Sequence, residues 1–129
     1  MLFAHPPTLL PSTEYHRLQR LLRTMIGSRT PLASVLRLKL GAAAPALAST
    51  VPDDVALSGA RVRFRTDRQR PEERVLTWQA PERGDDIHLS LRSPRGLALL
   101  GLSPGEAVSY RTDRDRTEYL EVERVSQAA

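Results

Sequence analysis

The sequence predicts an α+β protein, in which a short N-terminal antiparallel helical hairpin precedes an antiparallel β-sheet that carries one short helix. Three observations support this. Apolar residues recur at helical spacing across 13–40, they alternate with arginines across 61–65, and proline and glycine punctuate the chain between such segments.

Residues 1–11 contain Pro6, Pro7 and Pro11 and show no periodicity, so a frayed lead-in is expected. Ser12 or Thr13 is placed to cap a first helix over 13–25. Its Tyr15, Leu18, Leu21, Leu22 and Met25 form one apolar stripe, while Arg17, Arg20 and Arg23 face outward. Gly27 suits the C′ position, and Ser28, Arg29, Thr30 and Pro31 supply a new cap followed by a first-turn proline. A second helix over 31–40 then presents Leu32, Val35, Leu36, Leu38 and Leu40 to that stripe and ends at Gly41. At about 1.5 Å per residue each arm is only about 15 to 20 Å long.

The stretch 42–54 is rich in Ala, Ser, Thr and Pro and suits a linker better than a regular element. The organisation expected is therefore a hairpin over 1–41, a linker over 42–54 and a β-rich domain over 55–126. Within that domain Val62 and Phe64 alternate with Arg61, Arg63 and Arg65, the signature of a half-buried strand. A polar turn over 67–71 leads to a second strand over 74–79, through Val75, Leu76 and Trp78, and a third follows over 87–91. Ser93 and Pro94 form a cap with a first-turn proline, opening a helix over 94–100 that Gly101 stops. Strands over 106–111 and 117–125, joined by a turn over 112–116, complete the order βββαββ.

Composition narrows the function classes. Without cysteine there is neither a disulfide framework nor a thiolate metal site, which favours a reducing compartment. Apolar stretches break well short of the roughly 20 residues a membrane span needs, and 1–10 carries no basic n-region. A soluble, cytoplasmic protein with no membrane partner is expected. Charge is uneven: 1–52 holds Arg17, Arg20, Arg23, Arg29, Arg37 and Lys39 against the single acid Glu14, a net of +5, whereas the remainder nets −1. Such a split points to an anionic partner for the N-terminal segment, or simply to a solvated helix face.

The sequence carries no catalytic pattern. His5, His16 and His88 show no ligand or nucleophile spacing, and His88, between Ile87 and Leu89, falls on the solvent face of a strand. The pairs Glu72-Glu73 and Asp85-Asp86 lie on expected turns, where solvated charge is the ordinary reading. There is no nucleotide-binding glycine pattern, and a non-enzymatic binding protein without cofactor or metal is expected.

The run LSLRSPRGLALLGLSPGEAV over 89–108, with SGARVRFR over 58–65, resembles the C-terminal domain of the Gre transcription elongation factors, and most closely its Rnk-type regulators of nucleoside diphosphate kinase. The resemblance covers about 55–125 and centres on Ser93-Pro94-x-Gly96-x-Ala98-Leu99-Leu100-Gly101, followed by Gly105-Glu106. It implies an FKBP-like fold that docks on the rim of the bacterial RNA polymerase secondary channel, with Ser93 and Pro94 in the contacting surface. Arg92 stands just before that turn, where Gre factors often carry an acid. Gre factors stimulate transcript cleavage with acids at a finger tip that help hold a catalytic Mg²⁺. Here the tip over 26–30 has no acid, and none occurs between Glu14 and Asp53. The resemblance therefore implies a Rnk-type regulator that occupies the polymerase without stimulating cleavage and competes with Gre factors. Prolyl isomerase activity needs an aromatic-lined pocket, which fold alone does not confer.

A second reading stays open, a direct nucleic-acid binder that places Arg17, Arg20, Arg23, Arg29, Arg37 and Lys39 on phosphates. Oligomeric state is not legible: the apolar hairpin face packs either on the sheet domain or on a second copy.

Overall fold

The computed structural model describes residues 5–67, 69–112, 114 and 116–127. Residues 1–4 of the expected lead-in, and Arg68, Asp113 and Asp115 of the two expected turns, lie outside the described residues. In chain order the elements are β1 (Thr8–Pro11), α1 (Ser12–Arg23), α2 (Pro31–Ala42), β2 (Ala43–Ala46), a 3₁₀ turn (Ala48–Thr50), β3 (Arg61–Thr66), β4 (Glu72–Thr77), β5 (His88–Ser90), α3 (Pro94–Leu99), β6 (Ala107–Arg111) and β7 (Thr117–Ser126).

The N-terminal segment departs from expectation at both ends. Thr8–Pro11 is a strand, not a frayed lead-in, and it pairs in parallel with Ala43–Ala46, inside the stretch expected to be a linker. The two helices are thus bracketed by a strand pair. Neither Ser12 nor Thr13 caps α1: the chain enters the helix straight from extended Pro11, and the Ser12 hydroxyl donates instead to the Ala46 carbonyl at 3.1 Å. Gly41 does not stop α2, which continues to Ala42 because Ala43 turns directly into β2. At the start of α2 the expectation holds, since Pro31 occupies the first turn and the Thr30 side chain accepts from the Ala33 amide at 3.2 Å. In the connection between the helices Gly27 adopts φ +79°, the left-handed conformation that suits glycine.

The larger sheet has the order β5-β4-β3-β7-β6. It is mixed, not purely antiparallel, because β5 runs parallel to β4 while the other three pairs are antiparallel. The long connection over 78–87 carries the chain back before β5 begins, which makes the parallel return possible. The second and third strands are also displaced or shortened, at Glu72–Thr77 and His88–Ser90, so Glu72 and Glu73 sit in a strand and not on a turn. They pair with arginines: Arg74 lies 3.2 Å from Glu72, and Arg61 and Arg124 each lie 3.8 Å from Glu73.

A single core joins the helices to the sheet. Leu10, Leu18, Val35 and Leu36 from the N-terminal segment pack in the same buried cluster as Val62, Phe64, Leu76, Leu97, Leu99, Leu100, Leu120 and Val122. Most of the apolar positions of the helices are thereby covered by the chain's own sheet domain, although Leu38, expected to face the first helix, is exposed. Packing is closest around α3. A Cβ on Gly96 would lie 2.0 Å from the Ser90 carbonyl oxygen, so only glycine lets α3 approach β5 this nearly. Gly101, at φ +84°, ends α3 as expected, and the Thr8 hydroxyl donates to its carbonyl at 2.5 Å.

One buried residue runs against its sequence reading. Lys39 is completely inaccessible to solvent and does not belong to a basic surface. Burial pushes its ammonium down to about 7 from an ordinary 10.5, with nearby Glu106 opposing.

Two stability outcomes follow. Gly96→Ala should lower unfolding free energy by about 3 kcal/mol or more, since backbone must move to admit the methyl, while Gly41→Ala, in open space within α2, should raise it by about 0.5–1 kcal/mol in denaturant titrations. Between pH 7 and 10.5 the unfolded chain holds a Lys39 proton that the folded chain lacks, so stability should rise with pH across that window by at most about 1.4 kcal/mol per unit, and Lys39→Met should flatten the rise.

Candidate docking surface

The turn that opens α3 is built entirely from local hydrogen bonds. The Ser93 hydroxyl donates to the Ser90 carbonyl at 2.6 Å and accepts from the Gly96 amide at 3.1 Å, while the Ser90 hydroxyl accepts from the Arg92 amide at 3.0 Å. Ser93 is therefore spent inside the turn as a helix cap. Arg92 is exposed, and Ser93 and Pro94 are half-buried, so the Arg92 side chain stands out most from the turn. The structure thus brings Arg92, Ser93 and Pro94 together but gives them different work.

Beside the turn lies a shallow cleft of about 260 Å³, walled by Leu89, Pro94, Arg95, Tyr110, Thr112 and Glu118. Tyr110 and Glu118 face each other across β6 and β7, and the Tyr110 hydroxyl donates to Glu118. Arg95 reaches the same carboxylate with both arms of its guanidinium, Nε to Oε1 and Nη2 to Oε2, each at 3.1 Å. Burial opposes the Arg95 charge, yet Glu118 and Tyr110 outweigh it and hold the guanidinium above its ordinary value. Burial first, and then the Glu118 bond, raise the Tyr110 phenol. These groups clamp the first turn of α3 to the sheet. Arg95 and Glu118 lie far apart in sequence, and no spacing pattern announces them.

The basic helical face is smaller than its sequence suggests. Arg17 points to the sheet domain, its guanidinium carbon 5.0 Å from the centroid of the Trp78 ring. The indole N–H of Trp78 in turn donates to both oxygens of Glu14, at 3.2 and 3.3 Å. One turn of α1 thereby grips Trp78 with an acid and a cation, and Arg17, although exposed, helps to fasten α1. Arg37 donates to the Ser28 carbonyl at 2.7 Å and steadies the helix connection, and Lys39 is buried. Arg17 and Arg37 are exposed too, but each has a partner. Arg20, Arg23 and Arg29 are exposed and make no ion pair with any other described residue, and Ile26 lies between the last two at 84% exposure. The surface at the helix connection is thus basic with an apolar point.

The histidines and acid pairs find other work. His88 is exposed, as expected, and its Nδ1 lies 2.8 Å from Asp85. Asp85 accepts from the Ile87 and His88 amides, and these bonds, with the His88 ring, hold its carboxyl below the ordinary carboxylate value. No cluster of three or more metal-ligating side chains occurs among the described residues. Nor, among them, is any helix long and apolar enough to cross a membrane.

No family model matches the chain. Among curated proteins it is similar to the regulator of nucleoside diphosphate kinase of Escherichia coli strain K12, 27% identical over 120 residues that cover 92% of this chain and 88% of the relative. The protein of that name from Shigella flexneri matches with the same figures. Among solved structures the GreA/GreB transcription elongation factor of Nitrosomonas europaea superposes with a TM-score of 0.67 at 23% identity, covering 94% of this chain and 98% of that one. By sequence, then, the chain resembles the Rnk regulators of nucleoside diphosphate kinase, and by fold the GreA/GreB elongation factors.

Proposed function

We propose that this protein is a bacterial transcription regulator of the Rnk type, which binds RNA polymerase at the rim of the secondary channel and does not stimulate transcript cleavage. The observation that carries the reading is the similarity to the Rnk regulators across 92% of the chain, which takes in the helical pair as well as the sheet domain. On this reading the five-stranded region is an FKBP-like docking domain, the helices are a truncated hairpin, and the protein works in the cytoplasm without catalysing a reaction.

The site supports it in two ways. The turn of Arg92, Ser93 and Pro94 is preorganised by its own hydrogen bonds and by the Arg95–Glu118 clamp, so little ordering entropy is spent on docking. The connection over 24–30 carries Arg29 and Ile26 and no carboxylate, so it lacks the oxygen ligands that would help hold a catalytic Mg²⁺. A factor of this shape occupies the site of a Gre factor and withholds its chemistry. The exposed Arg20, Arg23 and Arg29 then face acidic groups of the polymerase or the nucleic acid it holds.

Direct nucleic-acid binding is the second reading, and it loses ground because Lys39 is buried, while Arg17 and Arg37, though exposed, are held by Trp78 and the Ser28 carbonyl. The purified protein should bind bacterial core RNA polymerase, be displaced by a Gre factor, and leave stalled complexes uncleaved. Arg92→Glu should weaken binding about tenfold without loss of stability, the scale of a contacted interface residue. Absence of binding at micromolar protein, or cleavage above background, would reject the proposal. Reversing Arg20 and Arg23 to Glu should weaken the complex more at low than at high salt, and steeply salt-dependent binding to random duplex without polymerase would favour the second reading instead.

A further inference from the structure

Lys39 is the only lysine of the chain, and the docking reading makes no use of it. Its Nζ lies 2.9 Å from the Ala98 carbonyl oxygen of α3 and 2.5 Å from Nε2 of His5. The other ring nitrogen of His5 lies 2.7 Å from the Pro6 carbonyl, an acceptor only. Nδ1 must therefore carry the ring proton, which leaves Nε2 free to accept from Lys39. One amine thus ties together the N-terminal segment, α2 and α3.

Such a joint is costly to bury, and a leucine or methionine would fill the space without a polar group. The charged and titratable groups that face it are few. His5 covers it from the N-terminal segment, and Glu106, just before β6, attracts it. α3 contributes the Ala98 carbonyl and turns its one cation, Arg95, toward Glu118.

We propose that His5 and Lys39 form a proton-controlled latch, which fastens residues 5–7, just before β1, over the junction of α2 and α3 and releases them as protons are taken up. A protonated imidazole has no lone pair left for Lys39 and repels it. A protonated Lys39 is held more poorly in the apolar junction than in water. Burial lowers Lys39 to about 7 from 10.5, with Glu106 opposing. His5 is lowered to about 4 from 6.5, by burial first and then by the Lys39 charge, with the Pro6 carbonyl opposing. Freed, each group returns to its ordinary value, so release binds protons. Acid therefore favours the open form between pH 10.5 and 7 through Lys39 and again between pH 6.5 and 4 through His5.

The lone lysine makes the latch directly measurable. The intact protein is acetylated with a limiting N-hydroxysuccinimide ester beside a free lysine derivative, and the Lys39 peptide is read by mass spectrometry from about pH 6 to 10. Release of a neutral folded amine into a neutral open one involves no proton. Labelling through the latch should therefore level off above about pH 7, while the free amine climbs about tenfold per unit toward its own pKa near 10.4. His5→Ala should speed Lys39 labelling about tenfold or more at pH 7.5, and His5→Gln, which keeps a neutral acceptor, should speed it less. A Lys39 rate that follows the free amine up to pH 10, or one unchanged by His5→Ala, would overturn the latch. If His5→Ala fails to fold, the native pH profile and His5→Gln decide the matter, with labelling by His5→Gln equal to the free amine counting against it.

Discussion

The structure depends on one constraint, the burial of α3 from two sides. Leu97, Leu99 and Leu100 are wholly inaccessible, packed within a core to which α2 and the sheet both contribute. A six-residue helix has little stability of its own, so it exists because both neighbours cover it. Gly96 lets it touch β5, Ser93 caps it, and Gly101 turns the chain away under Thr8. The turn that opens it is consequently anchored to the core beneath it. The helical pair is held to that core by the Glu14–Trp78–Arg17 grip of α1 and the Lys39–Ala98 bond of α2.

Much of this was legible in the sequence because the signals are local. The alternation of arginines with Val62 and Phe64 marked β3, Thr30 with Pro31 marked the start of α2, and Ser93 with Pro94 and Gly101 marked both ends of α3. What escaped was set by distant partners. Thr8–Pro11 and Ala43–Ala46 are four-residue strands containing proline, too short for a period to show, and each is a strand only because the other lies beside it. The parallel placement of β5 is likewise a matter of topology that three residues cannot encode.

The site shows the same division. Arg92, Ser93 and Pro94 are consecutive, so their association needed no fold, whereas the Arg95–Glu118–Tyr110 clamp needed the register of β6 and β7. The charge count fails at one position, where the side chain turns inward. Lys39 counts as a surface cation by sequence but is sealed under His5, whereas Arg17 is exposed as expected and also lies over Trp78. Glu14, the lone acid among the first 52 residues, turns out to be a structural anchor and no accident of composition. On the outer sheet face Arg63 and Arg65 share Glu123 at 3.1 Å each, exposed pairs that add little stability and keep the row of arginines from acting as free cations.

These anchors join the helices and the sheet into a single cooperative body. Trp78 is the only tryptophan and sits at the seam between α1 and the sheet domain, so its fluorescence reports the seating of the helices. Thermal unfolding followed by that fluorescence and by circular dichroism in the helix band should show a single transition with a common midpoint. An early step in which Trp78 becomes exposed and helix signal is lost while the sheet persists would contradict it, and would mean that the helices are a loosely held arm.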